Sequence, residues 1–197
     1  LKITVVSLAP RVPYGVISNR HGKGALIGEL PRGAHNVSVF TPVEARPEGL
    51  VGVLPVTEGG EGRIEFPLAP FLGIMGVAVS DDERPHSVPP GPHGGNIDIK
   101  LLTEGSVLYL PVQVAGALAY VGDPHFAQGD GEVALTALEA SLRATLQFEV
   151  VPREVALAEF GEIVGPLVRT DEYLVPTGMD VDLNVAMRNA VRAAVKL

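Results

Sequence analysis

Short apolar runs separated by glycine and proline set the pattern of this chain. Runs at residues 3–8, 37–43, 50–56, 62–66, 73–79, 97–102 and 107–112 have the length of strands, and several are apolar on both alternations, as in a sandwich core. The 23 glycines and 17 prolines are scattered between short apolar runs, the punctuation of many turns. Residues 133–151 are rich in Ala, Leu, Glu and Arg, which favour a helix by propensity. Pattern points the other way. Leu142, Ala144, Leu146, Phe148 and Val150 alternate with Arg143, Thr145, Gln147 and Glu149, the period of a half-buried strand over 142–150. Only residues 183–195 read as a helix: Asp180 or Asp182 can cap it, and Leu183, Met187, Ala190 or Val191, and Ala194 recur on one face. With no helices alternating with strands, the expected fold class is all-β, a β-sandwich or jelly roll with a C-terminal helix. Residues 80–95, with Asp81-Asp82-Glu83 and four prolines, read as one long loop of the kind that carries function or moves.

At 197 residues the chain is expected to form a single domain over 1–197. It opens without Met inside a strand-like run and stops just after the helix, so truncation at both ends is expected. Hydrophobic residues at 46% and charged residues at 19% support burial of a core and argue against disorder. The formal charge of -8, from 15 Lys plus Arg against 23 Asp plus Glu, would be repelled by a phosphate backbone or an anionic membrane. Neither nucleic acid nor a membrane is an expected partner. No run approaches the ~20 apolar residues of a spanning helix and residues 1–8 lack a signal-peptide pattern, so the expected compartment is the cytoplasm. The absence of cysteine excludes disulfides, thiolate metal sites and a Cys nucleophile.

Two segments hold the candidate chemistry. In Gly122-Asp123-Pro124-His125-Phe126-Ala127-Gln128-Gly129-Asp130-Gly131-Glu132, three carboxylates and an imidazole fall within eleven residues, reading as a polar turn between buried elements. In Gly91-Pro92-His93-Gly94-Gly95-Asn96-Ile97-Asp98, a strand from Asn96 to Lys100 would place Asn96, Asp98 and Lys100 on one face. The plain alternatives are a solvated hairpin loop and a Gly-rich turn before an edge strand. His21, His35 and His86 are read as surface or packing residues. Imidazole with carboxylate oxygens suits Zn²⁺, Mn²⁺ or Fe²⁺, while an all-oxygen set would suit Ca²⁺. No Gly-x-Ser-x-Gly elbow supports a serine route.

These segments, in this order and spacing, together with Leu108-Tyr109-Leu110-Pro111-Val112, the run 70–78 and Thr177-Gly178-Met179-Asp180, resemble the acetamidase/formamidase family. The resemblance implies hydrolysis of a short aliphatic amide, acetamide or formamide, to carboxylate and ammonia on a β-sandwich-like fold, with a divalent metal, zinc before calcium. On chemical grounds His93, Asp98, Asp123 and His125 are the expected metal ligands, Glu132 the general acid/base, and Asn96 the donor to the amide oxygen. A homodimer is the expected assembly. Two other functions stay open: a metal-dependent hydrolase of another linear C–N bond, and a non-catalytic sandwich module with a structural Ca²⁺.

Overall fold

The computed structural model describes every residue except Glu58, Asp81 and Glu83, so the expected acidic loop run at 81–83 lies partly outside the described residues. Among the described residues there are thirteen strands and two α-helices: β1 (Lys2–Pro10), β2 (Tyr14–Asn19), β3 (Val37–Arg46), β4 (Gly49–Pro55), β5 (Arg63–Pro67), β6 (Phe71–Gly76), β7 (Gly94–Asn96), β8 (Val107–Tyr109), β9 (Tyr120–Ala127), β10 (Leu138–Glu139), β11 (Leu142–Glu149), α1 (Arg153–Phe160), β12 (Leu167–Arg169), β13 (Leu174–Pro176) and α2 (Leu183–Lys196). The antiparallel β class and the C-terminal helix are as the sequence predicts. Two compact units are distinguishable, and each of the chain's four passages between them falls inside a strand, β1, β6, β9 or β11.

The first unit contains residues 1–7, 72–123 and 144–197. Its five-stranded sheet has the order β11-β1-β8-β12-β13, with β8 held antiparallel between β1 (Ile3 opposite Leu108) and β12 (Val168 opposite Leu108). A strand paired on both edges and covered on both faces must be apolar throughout, and Val107, Leu108 and Tyr109 are all buried. Helix α1 docks here through Phe160, whose ring centroid lies 4.8 Å from that of Tyr109. Burying such a ring contributes about 1.5–3 kcal/mol, and the Arg169 guanidinium caps both rings at 5.5 and 5.8 Å. This helix is a correction to the expectation that only the C-terminal segment is helical. Its two turns are too short for a convincing period, yet Pro152 before it and Gly161 after it, at φ 70°, are the usual boundary residues.

Helix α2 is capped as expected, Asp182 Oδ1 accepting from the backbone N–H groups of Asn184 (2.8 Å) and Val185 (3.0 Å). Its packed face is not the expected one. Leu183, Met187 and Val191 are exposed, and the helix instead seats Ala186, Ala190 and the buried Ala193 inward. Gly178 explains the choice, because a Cβ there would collide with the helix backbone at Ala186 and Ala190. Small side chains let the two backbones touch.

The second unit contains residues 8–71 and 124–143. Strands β5-β4-β3-β2-β10-β9 lie side by side in that order, the β2–β3 pair running in register from Tyr14 opposite Pro42 to Asn19 opposite Val37. Strands β2 and β9 were not expected from the sequence, the first because its run is short, the second because residues 122–126 are too polar to read as a strand.

Candidate functional site

In the first unit, β7 pairs with β6 (Met75 opposite Gly95, Ile74 opposite Asn96) and ends at Asn96. The expected strand over 97–102 is absent. The N–H groups of Ile97 and Asp98 both donate to the Gly73 carbonyl, at 3.0 and 3.1 Å, and Asp98 takes the left-handed conformation at φ 46°. A carbonyl that accepts two consecutive N–H groups ends the ladder, so Asn96, Asp98 and Lys100 do not line one strand face. The turn instead brings Asp98 over Gly73, where it meets Asp123. A Cβ built on Gly73 would lie 2.5 Å from Asp98 Oδ1 and 2.7 Å from Asp123 Oδ2. Only glycine leaves room for this carboxylate pair. Asp123 is also left-handed, at φ 52°, within β9.

In the second unit, His125 is 1% exposed and packs edge-on against the buried Phe71 ring, with centroids 4.9 Å apart at 82°. Its Nδ1 lies 3.0 Å from Gln128 Oε1. A carbonyl oxygen can only accept, so this contact is a hydrogen bond when Nδ1 carries the proton, the tautomer that leaves Nε2 to ligate. Across the ladder, Leu138 faces Ala127 and Glu139 faces His125, one step on β10 against two on β9. That bulge re-aims side chains, as bulges beside functional sites do. A ring nitrogen of His125 lies within 4.8 Å of a carboxylate oxygen of Glu132, and likewise of one from Glu139. Glu132 ends the short 3-10 turn Asp130–Glu132 in a third left-handed conformation, φ 44°.

Six non-glycine residues among those described have positive φ, and Asp98, Asp123 and Glu132 are three of them. A non-glycine residue held there costs about 1–3 kcal/mol, and such strain gathers at functional sites. Thus the geometry unites Asp98 with Asp123, and His125 with Glu132. His93 belongs to no group of three or more metal-capable side chains among the described residues. It sits instead at the tip of the turn closed by the Gly91–Gly94 bridge, buried, with Asn96 three residues on. Sequence reasoning missed Glu139, which reads as an ordinary surface acid, and Gln128, whose role was legible only as a polar residue three positions after His125. Gly73 carries no signal that sequence alone could rank.

The chain is 55% identical over 51 residues to a formamidase of Methylophilus methylotrophus, covering 26% of this chain and 12% of that protein. It is 55% identical over 61 residues to an acetamidase of Mycolicibacterium smegmatis, covering 31% of this chain and 15% of that one. The crystal structure of a predicted acetamidase/formamidase from Thermoanaerobacter tengcongensis superposes with a TM-score of 0.80 at 27% identity, over 98% of this chain and 57% of that one. The chain therefore spans little more than half the length of that structure. The profile of the Acetamidase/Formamidase family matches residues 80–197, more than half of the chain, and the protein belongs to that family.

Proposed function

We propose that this chain carries the hydrolytic site for a short aliphatic amide, formamide or acetamide, releasing a carboxylate and ammonia. The observation that carries the reading is the left-handed backbone at Asp98, Asp123 and Glu132, three carboxylates held at a conformational cost. The relatives' names supply the reaction class. Asp98, Asp123 and His125 are proposed as ligands of a divalent cation on the chemistry of their side chains, Asp98 and Asp123 converging over Gly73 in the first unit. Two carboxylates and an imidazole fit zinc, manganese or iron better than calcium. Such an ion, when bound, polarises the amide carbonyl and acidifies a water to a pKa of about 7.

The chain's own residues do the rest. Gln128 fixes the proton on His125 Nδ1, so Nε2 is presented to the ion in the tautomer that ligates. Glu132 accepts the proton of the attacking water as the C–O bond forms, and returns it to the nitrogen as the C–N bond breaks, so ammonia leaves neutral. Asn96 donates an N–H to the amide oxygen. Short amides need no large apolar pocket, and none is invoked. Residues 1–197 are proposed to form one domain, since the chain passes between its two units only in mid-strand. The protein is proposed to act in the cytoplasm as a homodimer, with the exposed row Leu183, Met187 and Val191 on α2 as the support for self-association. Among the described residues no helix is long and apolar enough to cross a membrane.

The test is ammonia release from formamide and acetamide by protein stripped with chelator and then reloaded with Zn²⁺, Mn²⁺ or Ca²⁺. Activity that disappears on stripping and returns with a transition metal supports the proposal. Undiminished hydrolysis by stripped protein, or a fully loaded protein inert toward both amides, contradicts it.

A further inference from the structure

Two aromatic side chains of the first unit, His93 and Tyr120, approach each other outside the cluster of carboxylates and His125. His93 is only 8% exposed, and its carbonyl accepts from the Val77 N–H at 3.0 Å, which fixes the backbone that carries the ring. Among the described residues, neither its ring nitrogens nor the Tyr120 hydroxyl has a hydrogen-bond partner. Buried polar groups are paired as a rule, because leaving one unpaired is costly. An imidazole buried to this degree with nothing on either nitrogen therefore points to a ligand.

Glycines set the geometry of the pair. A Cβ on Gly95 would lie 3.2 Å from His93 Nε2 and 3.5 Å from the Tyr120 hydroxyl, so both polar atoms converge on one point beside that glycine. No hydrogen bond joins them directly. Two groups this close to a common point, yet not bonded to each other, are separated by a gap that one bridging oxygen can cover, with hydrogen bonds of ~2.7–3.0 Å to each side. A Cβ on Gly76 would meet Tyr120 Cζ at 2.5 Å, and one on Gly91 would meet His93 Nδ1 at 2.7 Å, so each ring lies where only glycine leaves room. Both rings border one open cavity and Tyr120 is 41% exposed, so the gap is reached from solvent. The pair is distinct from the carboxylates. Gly73, under Asp98 and Asp123, and Gly76, under Tyr120, are three residues apart on β6, and an odd spacing on a strand points to opposite faces.

We propose that His93 and Tyr120 form a two-point binding site for the carbonyl oxygen of a primary amide, with the His93 Nε2–H and the Tyr120 O–H both donating to that oxygen. With Nδ1 unpartnered, a neutral His93 ring is free to carry its proton on Nε2. Tyr120 keeps its proton through the neutral range, because partial burial raises its pKa above the ordinary value. The pair has no fixed charge, so it suits a neutral carbonyl better than a carboxylate, whose burial needs a cation. The choice of an amide among carbonyl compounds rests on the proposed function. The site adds a place where substrate binds apart from the proposed metal centre, and no bond is made or broken there.

Nitrogen NMR of the histidine rings tests this on ¹⁵N-labelled, chelator-stripped protein, with acetamide as the probe and the His93 signals identified by their loss in His93→Gln. The readout is binding at one ring and not turnover, so failure here is separable from failure of the proposed hydrolysis. Acetamide should shift the His93 Nε2 signal saturably, in the millimolar range expected of so small a ligand. Thioacetamide, of the same shape but with a poorly accepting sulfur, should bind at least tenfold more weakly, and acetate at least fivefold. Tyr120→Phe, which removes one donor, and Gly91→Ala, whose methyl displaces the His93 ring, should each weaken acetamide at least fivefold. Circular dichroism melts establish that both variants are folded. No saturable shift, thioacetamide or acetate binding as tightly as acetamide, or affinity unchanged in either folded variant would overturn the proposal and leave water as the bridging group.

Discussion

Strands β2 to β5 pair over six, four and five consecutive residues, whereas β7 has three residues and gives way at once to Asp98 at φ 46°. Among the described residues, none of the six non-glycine residues with positive φ falls within 14–67, and three of them are the candidate carboxylates. The meander is stabilised by continuous ladders and by cross-strand pairs such as Tyr14 on Phe40, with ring centroids 4.6 Å apart. Around the carboxylates, ladders are interrupted by a bulge, a doubly accepting carbonyl and left-handed turns. The contrast teaches that regular pairing supplies stability while the site spends some of it on geometry.

The sharpest way to break that contrast is to relax the site. Glu132→Gly should lower amide turnover by about 10²- to 10⁴-fold, the usual worth of a general acid/base. It should also leave the protein as stable or more stable, by less than about 1 kcal/mol, since relief of left-handed strain is partly offset by a more flexible unfolded chain. Urea denaturation beside an ammonia assay reads both. A loss of more than ~1 kcal/mol would mean that Glu132 is structural.

Two glycine substitutions sharpen the comparison further. Gly73→Ala places a methyl 2.5 Å from Asp98 Oδ1, and Gly52→Ala places one 2.6 Å from the Phe66 ring. The first should cost at least about 100-fold in kcat/KM, because displacing reacting groups by ~1 Å costs about that much. The second should cost about 1–3 kcal/mol of stability as an overpacked site and leave kcat/KM unchanged. Equal effects on activity would erase the distinction between the two regions.

Smaller effects belong to the scaffold. Asp182→Ala removes the α2 cap and should cost ~1 kcal/mol in thermal or urea melts, with amide turnover intact. The smallest concerns Glu65, whose carboxyl is held below its ordinary pKa by its hydrogen bond to Arg46, with Nη2 2.6 Å from Oε1. A depressed folded pKa contributes stability that is present above the unfolded value of 4.5 and lost as pH falls through the folded one. Glu65 is exposed and Arg46 only half-buried, so an Arg46→Gln variant should show only a slightly flatter loss of stability below about pH 4.5.

Where regular pairing rules, the sequence is readable: strands at 37–43, 50–56 and 62–66 recur within a few residues as β3, β4 and β5, and 142–150 as β11. The composition of 133–151 favours a helix, yet 142–149 pairs as a strand because tertiary pairing outweighs propensity, although only Leu142 and Leu146 of its apolar set are even partly covered. Local period fails where glycine and side-chain geometry decide. The run at 97–102 is apolar enough for a strand but is turned aside by the Gly73 carbonyl, and the polar segment 122–126 becomes part of β9. The apolar stripe of α2 stays exposed because Gly178 admits only a small-residue face. Residue chemistry was more legible than placement. The carboxylates and His125 were recognisable as a cluster, but no pattern in the chain separates His93 from them or ranks Gln128 as the partner of His125.

The central proposal is that Asp98, Asp123 and His125 are ligands of a divalent cation, and metal analysis of the purified chain tests it most directly. Wild-type protein, stripped and dialysed against excess Zn²⁺ and then against metal-free buffer, should retain about one ion per chain by mass spectrometry. Asp98→Asn and His125→Ala should retain far less, while Glu132→Gln should retain the full complement. Full occupancy in the Asp98 and His125 variants, or no retained metal in the wild type, would contradict the account.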